Sequence, residues 1–405
     1  MNDNPQKDNP VLCSLPFTQL RNGPQINYQP CCWAKTLSLC GPQNTSPIDH
    51  FKGEVFSNLR KDMLLGKVTP AIQNTCELCL ENEKKLGTST RLQLPHDWSA
   101  LDNFDSDGKM LDTNDRFIKL EINAFGNHCN LECYECQPDN SSRRIERVKK
   151  MEPKWKGLLT RYSFVDRDVK KANPEQWKLL LNDIVEHGKN IKSLAFCGGE
   201  PMTMVSHFDI LDALIETGES KEIEIMYVTN FTLFTLRRMK KYIDNFKWIH
   251  VNWSVDGLKE RNHWLRYPTD WDSTLKNVLE IKNYLFFSNK PWKVGDLKTT
   301  ITPSLLGMYK LKETVQYMKS INIFEDRWIN KIDRPHFCRT QHLPDPIKEE
   351  IGEDIKSISQ YVYDDMMQPR DEKQFQLGIK YFDALDKSRG SDWRSTFPEV
   401  ACYSN

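Results

Sequence analysis

Apolar and polar positions change their rhythm near residue 117. From there, short runs of β-type residues alternate with segments of helical period. FIKLEIN (117–123), IKSLAF (191–196), EIEIMYV (222–228), WIHVNWSV (248–255), LKTTITP (297–303) and FEDRWINKI (324–332) read as strands. Between them, NPEQWKLLLNDIVEHG (173–188) puts Trp177, Leu180, Leu181 and Ile184 on one side of a helix. Stretches 205–218, 234–246, 271–285 and 309–320 carry the same helical pattern. About six β–α units follow, and such alternation predicts an α/β fold with a parallel sheet, open or curved toward a barrel. Residues 1–110 look irregular, rich in Pro, Asn and Gly, whereas 336–405 are charged and mostly helical in period. These shifts divide the chain into an N-terminal module (1–110), a β/α domain (111–335) and a C-terminal helical cap (336–405), without internal repeats.

A chain of 405 residues is too long for one small core, which agrees with two or three domains. Lys plus Arg and Asp plus Glu number 56 each, so a net charge of zero gives no pull toward nucleic acid or an anionic membrane. A hydrophobic content of 39%, with 11 Trp and 19 Phe, supports packed cores rather than disorder. The polar start MNDNPQKDNP lacks the pattern of a secretory signal, and no run approaches the ~18 apolar residues of a membrane span. The expected location is cytoplasmic. In that compartment the 12 Cys point to metal binding more than to disulfides.

The unusual residues fall where strands end. In a βα barrel the loops after the strands converge on one face, and the chemistry sits there. Cys129, Cys133 and Cys136 follow the first strand, Gly198-Gly199-Glu200-Pro201 the second, Thr229-Asn230 the third and Ser254-Val255-Asp256-Gly257 the fourth. Three thiols without a nearby fourth leave two readings. A closed zinc site wants four ligands, and His128 would complete a zinc knuckle. A four-iron cluster held by three Cys keeps one iron open for a ligand.

The run CNLECYEC resembles the CxxxCxxC signature of the radical SAM superfamily, and the resemblance extends over about residues 115–335 through GGEP, TN and SVDG. It implies a partial (β/α)6 TIM-like barrel in which Cys129, Cys133 and Cys136 hold a [4Fe–4S] cluster, its open iron chelated by S-adenosylmethionine. Single-electron reduction would then give a 5′-deoxyadenosyl radical that abstracts hydrogen from a substrate. By the same resemblance Gly198, Gly199, Glu200, Asn230, Ser254 and Asp256 would bind S-adenosylmethionine, with Arg266 near its methionine carboxylate. The glycines would let backbone approach the ligand, and Glu200 would accept from its ammonium. One position departs from the pattern. Glu135 stands before the third Cys where the family usually has an apolar residue, and Tyr134 lies one earlier.

Cys13, then Gly23, Pro30-Cys31-Cys32 and Cys76-Glu-Leu-Cys79, form a second constellation. It resembles the twitch or SPASM-like modules of radical SAM enzymes, here ahead of the barrel, with Glu81, Gly87, Ser89 and Arg91 part of the pattern. The resemblance implies an auxiliary [4Fe–4S] cluster on Cys13, Cys31, Cys76 and Cys79, with Cys32 a packed neighbour of Cys31. A structural four-Cys zinc site fits the same spacing. Among the rest, Cys197 reads as an inert buried thiol, Cys338 as either a free thiol or a visitor to the cluster face, and His263, His336 and His342 have no ligand spacing. The basic run RRIERVKK (143–150), with Lys154, Lys156, Arg161 and Arg167 beyond it, reads as a solvated face or as a lid.

The expectation is a radical SAM enzyme acting on a peptide or protein, served by an electron donor such as flavodoxin or ferredoxin. A nucleoside or small-molecule substrate is one alternative, and a non-catalytic zinc-stabilised binding protein is the other.

Overall fold

The computed structural model describes residues 5–6, 9–22, 28–31, 33–34, 46–122, 127–137, 140–159, 174–288, 296–323, 329–332 and 334–404. Its strands are β1 (Gln19–Asn22), β2 (Tyr28–Gln29), β3 (Ile118–Ile122), β4 (Ile191–Phe196), β5 (Glu224–Thr229), β6 (Trp248–Ser254) and β7 (Leu297–Thr300). They form one sheet in the order β2-β1-β3-β4-β5-β6-β7. Every pair is parallel except the β1–β2 edge. Helices Pro174–His187, His207–Glu216, Leu236–Asn245 and Trp271–Phe287 make the crossovers from β3 to β7. This is the α/β partial barrel that the alternation predicts.

Strand alternation separates a core face from a site face. Leu120, Leu194, Ile225 and Ile249 stand in register and are buried. They meet helix residues such as Leu180, Ile184, Leu211, Ile243 and Ile281 in one apolar core. Each such side chain contributes about 1.5–3 kcal/mol by leaving water. The next row along the strands is Arg21, Glu121, Ala195, Met226 and His250, also in register and only half-buried. A closed barrel fills its interior with branched aliphatics. Here that face is polar and open, with Arg21 paired to Glu121 at 2.9 Å and His250 to Asp296 at 3.3 Å.

Two expectations change. FEDRWINKI does not supply a sixth strand among the described residues: 324–328 lie outside them, and Ile329 forms a single parallel bridge to Ile301. The sixth parallel position is taken by β1, at the other edge of the sheet. Nor is 1–110 irregular, since it holds helices Pro47–Lys52, Glu54–Leu64 and Pro70–Leu86. In Glu54–Leu64 the buried stripe is Phe56, Leu59, Arg60 and Met63. Arg60 breaks the apolar pattern and hides the helical period. Its fully buried guanidinium donates to the carbonyls of Gly108 (2.7 Å) and Phe51 (2.9 Å) and stacks on Phe104. Helix Pro70–Leu86 is mostly exposed, so its boundaries rest on caps, Thr69 at one end and left-handed Gly87 at the other.

Beyond the sheet the chain is helical, with Asp345–Ile358, Gln360–Met366 and Glu372–Arg389 the main segments. No helix among the described residues is long and apolar enough to cross a membrane.

Candidate active site

The three clustered thiols sit in a loop after β3 that is built of backbone bonds. Cys136 N–H donates to the Cys133 carbonyl (3.2 Å), and Leu131 N–H donates to Cys129 Sγ (3.4 Å). Ser142 anchors the loop twice: its N–H donates to Asn127 O (2.7 Å), and its Oγ accepts from Cys129 N–H (3.3 Å). The thiols face one another closely enough to interact electrostatically. Burial pushes Cys129 up to about 11, Cys136 up to about 12 and Cys133 well above its usual range. All three are therefore protonated until a cation lowers them. None is in a disulfide. Among the described residues, no group of three or more His, Cys, Asp and Glu side chains is disposed to hold a metal ion as it stands.

The other strand ends close around this loop. Gly198 and Gly199 have φ of 76° and 56°. The reason for Gly199 is protein rather than ligand: a Cβ there would stand 2.3 Å from the His128 carbonyl. That carbonyl accepts from Glu200 N–H at 2.7 Å, so the glycine turn is docked on the residue before Cys129. The Glu200 carboxylate is buried and accepts from Met202 N–H (3.2 Å), Thr229 Oγ1 (2.7 Å) and Asn230 N–H (2.7 Å). It joins the ends of β4 and β5. Asn230 donates through Nδ2 to Asn130 Oδ1 (2.9 Å), and Asn130 donates to Thr232 Oγ1 (2.7 Å). The residue after Cys129 is thus clasped to the β5 turn.

At the end of β6, Asp256 accepts from Thr302 N–H at 2.9 Å and lies 2.6 Å from Arg266 Nε, an ion pair out of line for a hydrogen bond. Arg266 Nη1 in turn reaches Cys133 Sγ at 3.9 Å. Glu135 borders this pair, and burial plus the neighbouring Asp256 push it well above the usual carboxylate range. Ser254, in register with Thr300, is half-buried on the open face. Of the seven residues singled out in the sequence, Gly199, Glu200, Asn230, Asp256 and Arg266 lie against the cysteine loop.

Sequence reading missed the brace behind that loop. Tyr134 turns its buried ring away, against Trp264 (5.3 Å) and Phe382 (5.9 Å). Its carbonyl accepts from Arg144 Nη2 (2.8 Å) and Tyr381 Oη (2.9 Å). Glu132 takes a bidentate pair from Arg147, 2.8 Å to each oxygen, while Arg389 donates to its carbonyl at 2.5 Å. Within 143–150 the basic run is therefore not a wholly solvated face. It forms helix Ser142–Lys150, exposed at Arg143, Lys149 and Lys150 but buried at Arg144, Ile145 and Val148. Arg161 and Arg167 lie outside the described residues. The signal in the sequence was the spacing 144, 145 and 148, masked by the surrounding charge.

The structure also gathers the N-terminal cysteines. Cys13, Cys31, Cys76 and Cys79 line one small cavity. Cys76 and Cys79 share a helix face by their three-residue spacing. Burial raises Cys13 to about 11, and burial together with Cys13 and Cys79 raises Cys76 to about 12. Arg91 closes the site. It pairs with Glu83 through Nε (3.0 Å) and donates through Nη1 and Nη2 to the carbonyls of Leu12 and Pro10, 2.9 Å each. Glu81, named in the sequence pattern, pairs with exposed Lys85. Gly23, Cys32 and Cys40 lie outside the described residues.

Of the remaining residues, Cys197 is half-buried, with Sγ 3.5 Å from Glu121 Oε1 on the open face, rather than a sealed thiol. Cys338 is fully buried within electrostatic reach of Glu135 and Arg144. His263 bonds through Nδ1 to the Thr269 carbonyl, and His342 Nδ1 accepts from Asp371 N–H, both structural roles.

Residues 123–289 match the family model of the Radical SAM superfamily. That stretch, less than half of the chain, is similar to a radical SAM domain. No curated protein sequence matches the chain. Among solved structures, native anSMEcpe with bound AdoMet is similar at 18% identity and a TM-score of 0.40, over 62% of each chain. The same protein with AdoMet and the Cp18Cys peptide gives 16% and 0.38, over 62% of this chain and 60% of that one. SuiB of Streptococcus suis bound to S-adenosylmethionine gives 15% and 0.36, over 76% and 63%. The likeness thus spans about three fifths of the length of each.

Proposed function

We propose that this chain is a radical SAM enzyme acting on a peptide or protein. In this reading Cys129, Cys133 and Cys136 hold a [4Fe–4S] cluster, and the ends of β4, β5 and β6 hold S-adenosylmethionine. The observation that carries it is the convergence of three mutually interacting thiols with Gly199, Asn230, Asp256 and Arg266 at successive strand ends. The donor set fits the group. Three thiols leave one iron open, and the positive Arg266 beside Cys133 suits an anionic cluster. When bound, cluster and S-adenosylmethionine supply one-electron cleavage to a 5′-deoxyadenosyl radical that takes hydrogen from the substrate.

The protein's part is positioning. Glu200 fixes the β4 and β5 ends and Asn230 clasps Asn130. Arg266 and Asp256 form a charged rim, and the Ser254 hydroxyl is available to a ligand. What supports an extended substrate is the open polar face, where Arg21, Glu121 and His250 are half-exposed. The basic helix packs behind the cysteine loop. For the N-terminal site we propose an auxiliary cluster on Cys13, Cys31, Cys76 and Cys79, and for the reductant a flavodoxin or ferredoxin.

Iron, acid-labile sulfide and zinc on anaerobically reconstituted protein test the reading. Two cubanes require about eight irons with matching sulfide. About four would leave the N-terminal site to zinc. Zinc without sulfide would reject the radical mechanism and leave a binding protein. Cys133→Ala is expected to abolish S-adenosylmethionine cleavage, measured as 5′-deoxyadenosine, while the N-terminal iron stays.

A further inference from the structure

Helix Ser142–Lys150 starts six residues after Cys136 and is tied to the cysteine loop at its first turn. Ser141 caps it, accepting from Arg144 N–H at 3.2 Å, and donates its hydroxyl to the Leu131 carbonyl at 2.7 Å. Arg144, one turn in, has 0% exposure. Its Nη2 donates to the carbonyl of Tyr134, which sits between Cys133 and Cys136, and its Cζ lies 5.5 Å from the centre of the Tyr381 ring. Its Nε and Nη1 have no acceptor among the described residues.

A buried guanidinium with two idle donors needs a counter-charge, because an uncompensated buried ion is strongly destabilising. Among the described residues none is free to provide it. The neighbouring carboxylate, Glu132, is already held by Arg147 at 2.8 Å through both oxygens and approached by Arg389 at 3.5 Å. Burial and the like charge of Arg389 accordingly depress Arg144 to about 10, and the groups that oppose this are Cys136, Cys338 and Glu132. Arg144 thus differs from its neighbour Arg147. Arg147 braces the loop with a satisfied pair, whereas Arg144 brings an unspent positive charge to the loop's rear wall.

We infer that Arg144 is the counter-charge of the cluster held by Cys129, Cys133 and Cys136, and that it sets how readily that cluster accepts its electron. The inference rests on the radical SAM reading above. Reduction moves one electron from a one-electron donor to the cluster, oxidises the donor by one electron and breaks no bond. The reduced cluster is more negative by one charge, so a fixed neighbouring cation favours it and raises its potential. Arg144 is a positioning and tuning residue and needs no contact with substrate.

Arg144→Gln and Arg144→Lys, in the full reconstituted chain, test this by anaerobic redox titration followed by electron paramagnetic resonance. The reductant is titanium(III) citrate, and the signal of the triplet cluster is identified as the one perturbed by S-adenosylmethionine. The expected result is a shift of R144Q to lower potential, with R144K between it and the parent. Loss of triplet iron in R144Q with its return in R144K would also support a charge role. An unshifted potential in loaded R144Q overturns the proposal. So does loss of triplet iron in both variants, or failure of the neutral variant to fold by circular dichroism, since Arg144 would then be a structural ion. A parent chain with no reducible triplet cluster is a different outcome, and it removes the radical SAM reading itself.

Discussion

Gly199 has no space for a side chain. Its φ of 56° is left-handed, and a Cβ would approach backbone oxygen of His128 at 2.3 Å, which no rotamer change can relieve. Gly199→Ala is expected to lower stability by about 3 kcal/mol, combining left-handed strain with overpacking. The midpoint of urea unfolding would measure it, and an unchanged midpoint would reject the docking of this turn on the cysteine loop. The sequence marks the glycine pair as permissive but assigns the permissiveness to a ligand. Glu200 teaches the same lesson, since its carboxylate already has three protein donors and acts as a staple between strand ends. Both residues are legible as unusual. Their partners other than Met202 are not, because those lie 29 to 71 positions away in sequence.

Strands β3 to β7 and the helices between them follow from periodicity because each buries one face. Elements whose buried face carries charge escape it, as Arg60 does in Glu54–Leu64 and Arg144 in Ser142–Lys150. The open face of the sheet is likewise visible as polar alternation, but its pairings are not. His250 on β6 lies 3.3 Å from Asp296 and 3.8 Å from Glu224 on β5. Burial opposes its charge, but the two carboxylates outweigh burial and raise it to about 9. That value is above the ~6.5 of a free imidazole. The pairing therefore stabilises the fold fully below about pH 6.5 and is lost as pH rises through about 9. His250→Gln should flatten the stability–pH curve across that window, and urea midpoints at about pH 6 and pH 10 would show whether it does.

At the scale of the molecule, the cysteine loop is held between two distant pieces of chain. The strand ends close its front, and helix Glu372–Arg389 supports its back through Tyr381 and Arg389. The Arg389 side chain is buried, donates to the Glu132 carbonyl and lies 4.9 Å from the Tyr267 ring centre. Arg389→Met is expected to cost about 3–5 kcal/mol, because Glu132 keeps only Arg147 in a buried setting. Loss of triplet iron with retention of N-terminal iron would accompany it, and metal analysis of the variant checks both parts. By itself the sequence determined the alternating β/α core and the clustering of three thiols after a strand end. Each of these depends on local period or on spacing within a few residues. The tertiary structure alone decided that β1 completes the sheet, that Glu83 holds Arg91, and that three arginines converge behind the cysteines. Those facts depend on which buried charge finds which partner. Burial makes such pairing obligatory, but only the fold brings the partners within reach.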